Sequence, residues 1–387
     1  MNKIKILTTL FLFISVTLAL QAQKESFNPL IVGVPSLTIA PDARGGGMGD
    51  LGAATEPDIY SQYWNLAKYP FAYSKAGVGL SYTPWLQHLV NDINLVYLSG
   101  YYKVGNSDRQ AVSASLRYFS LGQITITDGE GHALQDVSPY EMAFDLGYSL
   151  KTSESFSIGA ALRFIYSDLG AGVEEGLYPG SSWAVDIGGY YHKYVMIGNA
   201  ESLLGLGLSA SNVGSKISYD KNITSNFLPT DLRLGGSLLF PMDEYNKIAF
   251  NLDVNKYMIP TPPNTADMTP EEKQNAQQKY NAISPISGII KSFTEAPGGA
   301  SEKFKEIMWS MGAEYSYTDQ FFLRGGYYYE NPMKGNRQYF SVGAGFKLTA
   351  FQLDVAYLIS TVPSNPLDQT LRFSLSFDMD GLRNLMK

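Results

Sequence analysis

From Ala76 onward the chain repeats one pattern, in which large apolar side chains alternate with small or charged ones. In Tyr140–Leu150, Met142, Phe144, Leu146, Tyr148 and Leu150 share a face, opposite Glu141, Ala143, Asp145, Gly147 and Ser149. In Phe156–Ser167, Ile158, Ala160, Leu162, Phe164 and Tyr166 oppose Ser157, Gly159, Ala161 and Arg163. In Leu371–Asp378, Leu371, Phe373, Leu375 and Phe377 oppose Arg372, Ser374, Ser376 and Asp378. A period of two is that of a strand, since successive side chains leave opposite faces of the backbone. The charges obey it as well: Arg117, Asp145, Arg163, Asp186, Arg233, Asp253, Arg324, Asp354 and Arg372 all fall on the small face. A large apolar face without charge is what lipid demands, because a midplane arginine on it would cost roughly 2–4 kcal/mol. A soluble sandwich also alternates, but it would turn the small, charged face outward and bury the large faces against each other.

The pattern gives about fourteen segments. Their cores are 73–83, 92–104, 110–120, 140–150, 155–168, 182–193, 202–212, 230–240, 246–257, 306–317, 320–329, 337–348, 350–360 and 368–378. Links at one end are short, such as GNSDRQ, KTSES and PMDEYN; the other set is generally longer, with 121–139, 169–181, 213–229, 258–305 and 361–367. Short turns at one end and long loops at the other mark an outer-membrane barrel, with the turns periplasmic. An even strand count then predicts both termini in the periplasm. The expected fold is all-β, a transmembrane antiparallel barrel of about fourteen strands with an N-terminal hatch in its lumen. Phe144, Leu162, Leu234, Phe250 and Phe373 should face lipid. Substitution at lumen-facing Ser157 should be mild.

The rest of the chain divides around this barrel. Residues 1–22 read as a secretory signal, with Lys3 and Lys5 ahead of the apolar run Leu7–Leu20, and Ala22 before a cut at Gln23. A retained anchor helix is the alternative, and the run is short for it. Residues 23–72 are assigned to the hatch and 73–387 to the barrel. Without Lys3 and Lys5 the net charge goes from −7 to −9, which gives no reason to expect nucleic acid. No cysteine is present, so stability rests on backbone pairing and packing. With 27 Tyr, 20 Phe and only 17% charged residues, the composition suits outer-membrane lipid as the surroundings.

The segment Ile39–Tyr69 has no strand period, yet it holds Met48, Leu51, Tyr60, Tyr63 and Trp64. Gly45, Gly46, Gly47, Gly49 and Gly52 exclude a stable helix or strand interior. Irregular backbone with apolar side chains fits inside something larger, which makes it a plug in the lumen. A surface Ω-loop is the alternative. A phosphate-binding loop fails for want of GxxxxGK[ST]. Met48 and Trp64 should be buried, and Arg44 should meet a lumen carboxylate, Asp145, Asp186 or Asp354.

The insert 258–305 carries its own signals. Thr269-Pro270-Glu271-Glu272 is a capping box with proline at the first helical position, predicting a helix over 270–282. Ile286, Ile289, Ile290 and Phe293 then form one apolar stripe. That stripe either lids the barrel mouth or contacts another protein. Met258, Ile259, Trp85, Leu86, Tyr178 and Pro179 are further apolar or aromatic candidates for this surface. The nine lumen charges are either a substrate track or an internal ion-pair ladder. His88, His132 and His192 lie in no metal spacing, and GxSxG and HExxH are absent, so no catalytic residue, metal or cofactor is assigned.

The run APDARGGGMGDLGAATEPDIYSQYWNLAKYPF resembles the hatch of the FadL-like outer-membrane barrels. Those carry an Asp-Ala-Arg, Gly-Met-Gly run and then Trp-Asn-Pro-Ala. Asp42, Ala43, Arg44, Gly47, Met48, Gly49, Trp64, Asn65 and Ala67 match; Leu66 replaces the proline. From Pro35 the run PSLTIAPDARGGGMGDLGAATEPD is similar to the PorV branch, which serves the type IX secretion system of Bacteroidetes. The resemblance implies a hatch centred on Asp42, Arg44, Gly45, Gly46, Gly47, Met48, Gly49, Asp50, Trp64 and Asn65. It also implies a non-enzymatic carrier. Its partners would be the C-terminal domain of secreted cargo, the large translocon barrel and the sortase of the attachment complex. Two other readings stay open: a FadL-type transporter of hydrophobic small molecules, and a lipopolysaccharide-modifying factor.

Overall fold

Alternation in the sequence becomes the two faces of one closed wall. The computed structural model describes residues 27–385 apart from 88–89, 91, 106, 171–175, 221–223, 266–267 and 363–366. The signal segment and His88 lie outside the described residues. The first strands are β1 (Ala76–Pro84), β2 (Ile93–Val104), β3 (Gln110–Leu121), β4 (Ile124–Thr127), β5 (Ala133–Val137), β6 (Tyr140–Lys151), β7 (Phe156–Asp168) and β8 (Gly180–Ile197). They continue as β9 (Ala200–Gly214), β10 (Asp231–Pro241), β11 (Asn246–Tyr257), β12 (Ile307–Tyr317), β13 (Phe321–Tyr329), β14 (Gln338–Lys347), β15 (Phe351–Ser360) and β16 (Leu371–Asp378). All except β4 and β5 form one antiparallel ring, closed where β1 pairs with both β2 and β16. The fourteen barrel strands coincide with the fourteen periodic segments to within a few residues. The β4–β5 hairpin was not anticipated; it stands within the link between β3 and β6.

Phe144, Leu162, Leu234, Phe250 and Phe373 are exposed on the outside of the wall, whereas Ala143, Asp145, Ala161 and Arg163 are buried within. Cross-strand register puts opposite charges face to face on the inner side, Asp145 against Arg163 and Glu314 against Arg324. Among the described residues no helix is long and apolar enough to cross a membrane; the wall strands do so instead.

Inside the wall lie the short helices α1 (Ala43–Gly46) and α2 (Ser61–Trp64). The insert forms α3 (Pro270–Asn281), α4 (Pro285–Thr294) and α5 (Gly299–Lys305). The first begins where the capping box predicts: Glu272 N–H donates to the Thr269 hydroxyl, and the Glu272 carboxylate accepts from Thr269 N–H. Helix α6 (Met379–Leu385) follows β16 at the short-turn end, where Asp378 N–H donates to Ala350 O at 2.8 Å.

One expectation fails. The described chain does not begin at the short-turn end. Asn28 N–H donates to Met333 O in the β13–β14 loop, and Gly33 N–H to Phe227 O in the β9–β10 loop. Both loops belong to the long-loop end. Val34 and Leu37 pack there with Ile165, Ala184, Ile217 and Leu228. The chain then descends through the lumen and enters β1 from the opposite end.

Candidate functional site

Two regions bear on function, the hatch and the loop-end surface. The hatch is built around Asp42 and Trp64. Asp42 caps α1 by accepting Gly45 N–H at 2.8 Å on one carboxylate oxygen, and it accepts the indole N–H of Trp64 at 2.7 Å on the other. Met48 and Trp64 are buried. Gly49 sits at φ +81°, and a Cβ there would meet the Tyr327 backbone at 2.8 Å. The wall yields in the same way: a Cβ on Gly207 would lie 2.0 Å from Ala53 O. Backbone of the plug thus touches backbone of the wall, which is why small residues face it. Asn65 ties the two together, donating to Ala53 O at 3.1 Å and to Gly189 O at 3.0 Å.

Charge fixes the hatch in azimuth. Arg44 makes a bidentate pair with Glu314, at 3.1 and 2.8 Å, and reaches Asp58 at 3.0 Å. This corrects the expected partner: Asp145 and Asp186 are taken by Arg163, at 2.6 and 2.8 Å, and Asp354 by Arg324, at 2.7 Å. Arg324 also pairs with Glu314 at 2.5 Å, so one continuous chain of charge runs Asp58–Arg44–Glu314–Arg324–Asp354. Asp50 accepts from Arg372 and from the Tyr339 hydroxyl. Asp253 accepts Gly52 N–H at 2.8 Å and Ala53 N–H at 3.0 Å. The lumen charges therefore form an ion-pair ladder that also grips the plug. Ser157, expected to be tolerant, is fully buried with its hydroxyl donated to Ala67 O, so its replacement loosens the hatch. Beneath the hatch, at the short-turn end, a cavity of about 330 Å³ is lined by Arg44, Glu56, Tyr73, Glu314 and Gln352.

The loop-end surface is arranged oppositely. Helix α4 docks on its small residues. Gly288 and Ser292 are buried, and a Cβ on Gly288 would come within 2.8 Å of the Phe227 ring. The apolar stripe consequently points away from the mouth: Ile286 is 75%, Ile290 62% and Phe293 49% exposed, with Ile289 half-buried. Met258 and Ile259, expected on this surface, are buried under the insert. They carry the chain over the rim, where Met258 N–H still donates to Thr230 O. Trp85 and Leu86 are half-buried, the indole edge-on to Phe119 beside Ile39 and Leu95. Tyr178 and Pro179 are exposed. Exposed apolar residues of this end that were missed include Phe27, Ile31 and Phe304. The unpatterned apolar run FNPLIVG was the available signal for the first two; Phe304 lies in a helix too short to read.

A buried ion cluster holds α5 to the rim. The Glu306 carboxylate accepts from Lys256 at 2.5 Å, from the Thr261 hydroxyl at 2.5 Å, and from Lys303 and Lys334 at 3.4 Å each. Glu302 accepts from Lys334 at 2.6 Å and from the Asn28 amide at 3.0 Å. Burial pushes the Glu302 carboxyl up, but bonds from Lys334, Gly298 N–H and Asn28 outweigh it and hold the group below its ordinary range. Burial lowers the Lys303 ammonium. Among the described residues there is no group of three or more His, Cys, Asp or Glu suited to a metal. His132 pairs with Asp128 in the hairpin, and His192 stacks on Phe71.

Residues 21–264 match the family described as Type IX secretion system protein PorV. No curated protein matches. Among solved structures, the toluene transporter TodX of Pseudomonas putida is similar in fold. Its TM-score is 0.51 at 13% identity, over 91% of this chain and 99% of that one. A Pseudomonas aeruginosa FadL homologue matches at a TM-score of 0.44 and 12% identity, over 91% and 99% of the two chains.

Proposed function

The chain belongs to the PorV family of type IX secretion system proteins, and from that premise we propose that it is the system's outer-membrane cargo carrier. It receives the C-terminal domain of secreted cargo at the large translocon barrel and passes it to the sortase of the attachment complex. It performs no covalent chemistry itself. In this reading the long loops face the cell exterior and the short turns the periplasm. The observation that carries it is the orientation of α4. A lid would bury its apolar stripe in the mouth; here the small face docks, Ile286 and Ile290 stay exposed, and Phe293 is half exposed beside the Lys256 ammonium. An apolar face held open by its own packing is a site for a partner. The middle of the lumen supports the same reading, since hatch and ion pairs occupy it and separate the cavity at the turn end from the mouth.

The test is Ile290→Ala with Phe293→Ala. Apolar anchors of an interface cost about 2 kcal/mol or more on truncation, roughly thirtyfold in affinity. The expected result is a barrel of unchanged heat resistance that no longer recovers secreted cargo from native membranes. Lost heat resistance with normal cargo recovery would make α4 a lid and sink the assignment. Co-purified fatty acid would favour hydrophobic transport. Altered lipopolysaccharide with intact cargo delivery would favour lipid modification.

A further inference from the structure

The descent of the amino-terminal segment through the lumen has a topological consequence. Residues 27–38 lie at the loop end, the hatch occupies the middle, and Ala76 starts β1 at the turn end. Arg117 on the inner wall donates to Ser36 O and, at 2.8 Å, to Ile39 O, while Glu141 accepts Ser36 N–H at 3.1 Å. These buried contacts fix the path just below the mouth. Above them Asn28 joins three pieces that are distant in sequence. Its N–H donates to Met333 O at 2.9 Å, and its amide donates to Pro262 O at 3.1 Å and to Glu302 at 3.0 Å. Lys334 holds the same Glu302 carboxylate from the β13–β14 loop.

We propose that residues 27–34 are a strap that lies on the loop end, continues through the barrel to the hatch, and latches the insert there. The strap crosses the mouth and is then gripped inside, so the ring must close around it during assembly. The latch sets the pose of α5 and, through the insert, of the apolar stripe on α4. This rests on the carrier reading only for which side is outside; the threading itself does not depend on it.

The natural absence of cysteine allows a direct test. Phe27→Cys on the strap, Lys273→Cys on α3 and Glu154→Cys in the β6–β7 turn are all at exposed positions. Intact cells are treated with a membrane-impermeant maleimide. Phe27→Cys and Lys273→Cys should label together, and Glu154→Cys only after the outer membrane is opened. Phe27→Cys labelling with Glu154→Cys instead would overturn the threading. If Phe27→Cys and Lys273→Cys share a side but only Glu154→Cys reacts on intact cells, the strap stands and the orientation in the carrier reading fails. The latch is tested by Asn28→Ala. Losing its two side-chain bonds should speed proteolysis within 258–305 by roughly 25-fold, about fivefold for each bond, with barrel heat resistance unchanged. Cleavage at the unaltered rate would refute the latch.

Discussion

The hatch and the insert both lie outside the strand pattern, both bear glycines, and both pack on the same barrel, yet they are held in opposite ways. The hatch is fixed from every side. Wall hydroxyls take its backbone, as Ser341 accepts Gly49 N–H at 2.7 Å and Ser149 donates to Leu66 O at 2.9 Å. Its charges close onto wall charges. The insert touches the barrel through the small face of α4, the Tyr280–Asn281 end of α3 and one ion cluster, and no residue of α3 is fully buried. A buried segment must satisfy every polar group and so loses its freedom. A segment in water has no such obligation, and it can keep apolar side chains ready for something else. The difference leaves a barrel whose lumen holds a fixed hatch with exposed apolar side chains at its loop end.

The largest break in this comparison should come from the wall glycines. On Gly207 a Cβ would collide with Ala53 O, and neither backbone can give. On Gly236 of the neighbouring strand the nearest atom is 4.0 Å away, the Leu206 side chain outside. Gly207→Ala should cost about 3 kcal/mol or more through displaced backbone, whereas Gly236→Ala should be nearly silent. Heat-modifiable migration on gels reads both; equal behaviour would mean that the plug is not seated against β9.

Of comparable size is the effect of the charge that anchors the hatch. Asp50→Ala leaves the Arg372 guanidinium buried and the Tyr339 hydroxyl without its acceptor. Removing one partner of a buried pair costs about 3–5 kcal/mol. The insert's counterpart is Lys291–Glu295 at 2.7 Å, a solvent-accessible pair one turn apart at the carboxyl end of α4. Glu295→Ala should change stability by less than about 0.5 kcal/mol. Urea midpoints of the refolded barrel check the ratio, and comparable losses would show that the insert is as tightly integrated as the plug.

What could be read beforehand follows the same division. Lipid imposes period two on every strand, so Phe144, Leu162 and Phe250 declare their face without any tertiary knowledge. The capping box at Thr269 is likewise local. Arg44 was legible as a buried charge but not as the partner of Glu314. Which carboxylate it meets depends on how far round the ring the plug turns before Gly49 reaches Tyr327. Met258 and Ile259 misled because loop residues are ordinarily wet, while these two cross the rim under the insert. The strap was hidden for the same reason: FNPLIVG has no period, and only the closed ring reveals that its contacts lie at the far end.

The smallest expected effect is the sharpest on locality. Thr269→Ala removes the cap of α3, about 1 kcal/mol of local helix stability. Because the packing of α3 on the barrel lies at its far end, where the Tyr280 ring meets Phe227 and Lys216 donates to Asn281 O, the loss should stay within its first turn. Hydrogen exchange of the amides of residues 271–273 should quicken, with no change in barrel melting. Acid should mimic it. Bonds from Thr269 N–H and its hydroxyl hold the Glu272 carboxyl below its ordinary range. A depressed carboxylate contributes stability that is full above the unfolded pKa, about 4.3, and vanishes as pH falls through the folded value. The first turn of α3 should therefore fray as pH drops below about 4, and in Thr269→Ala that pH dependence should shrink but persist, since the backbone N–H of position 269 still bonds the Glu272 carboxylate. If the barrel melts in step with the helix, the insert is not the independent, loosely tied element that its packing indicates.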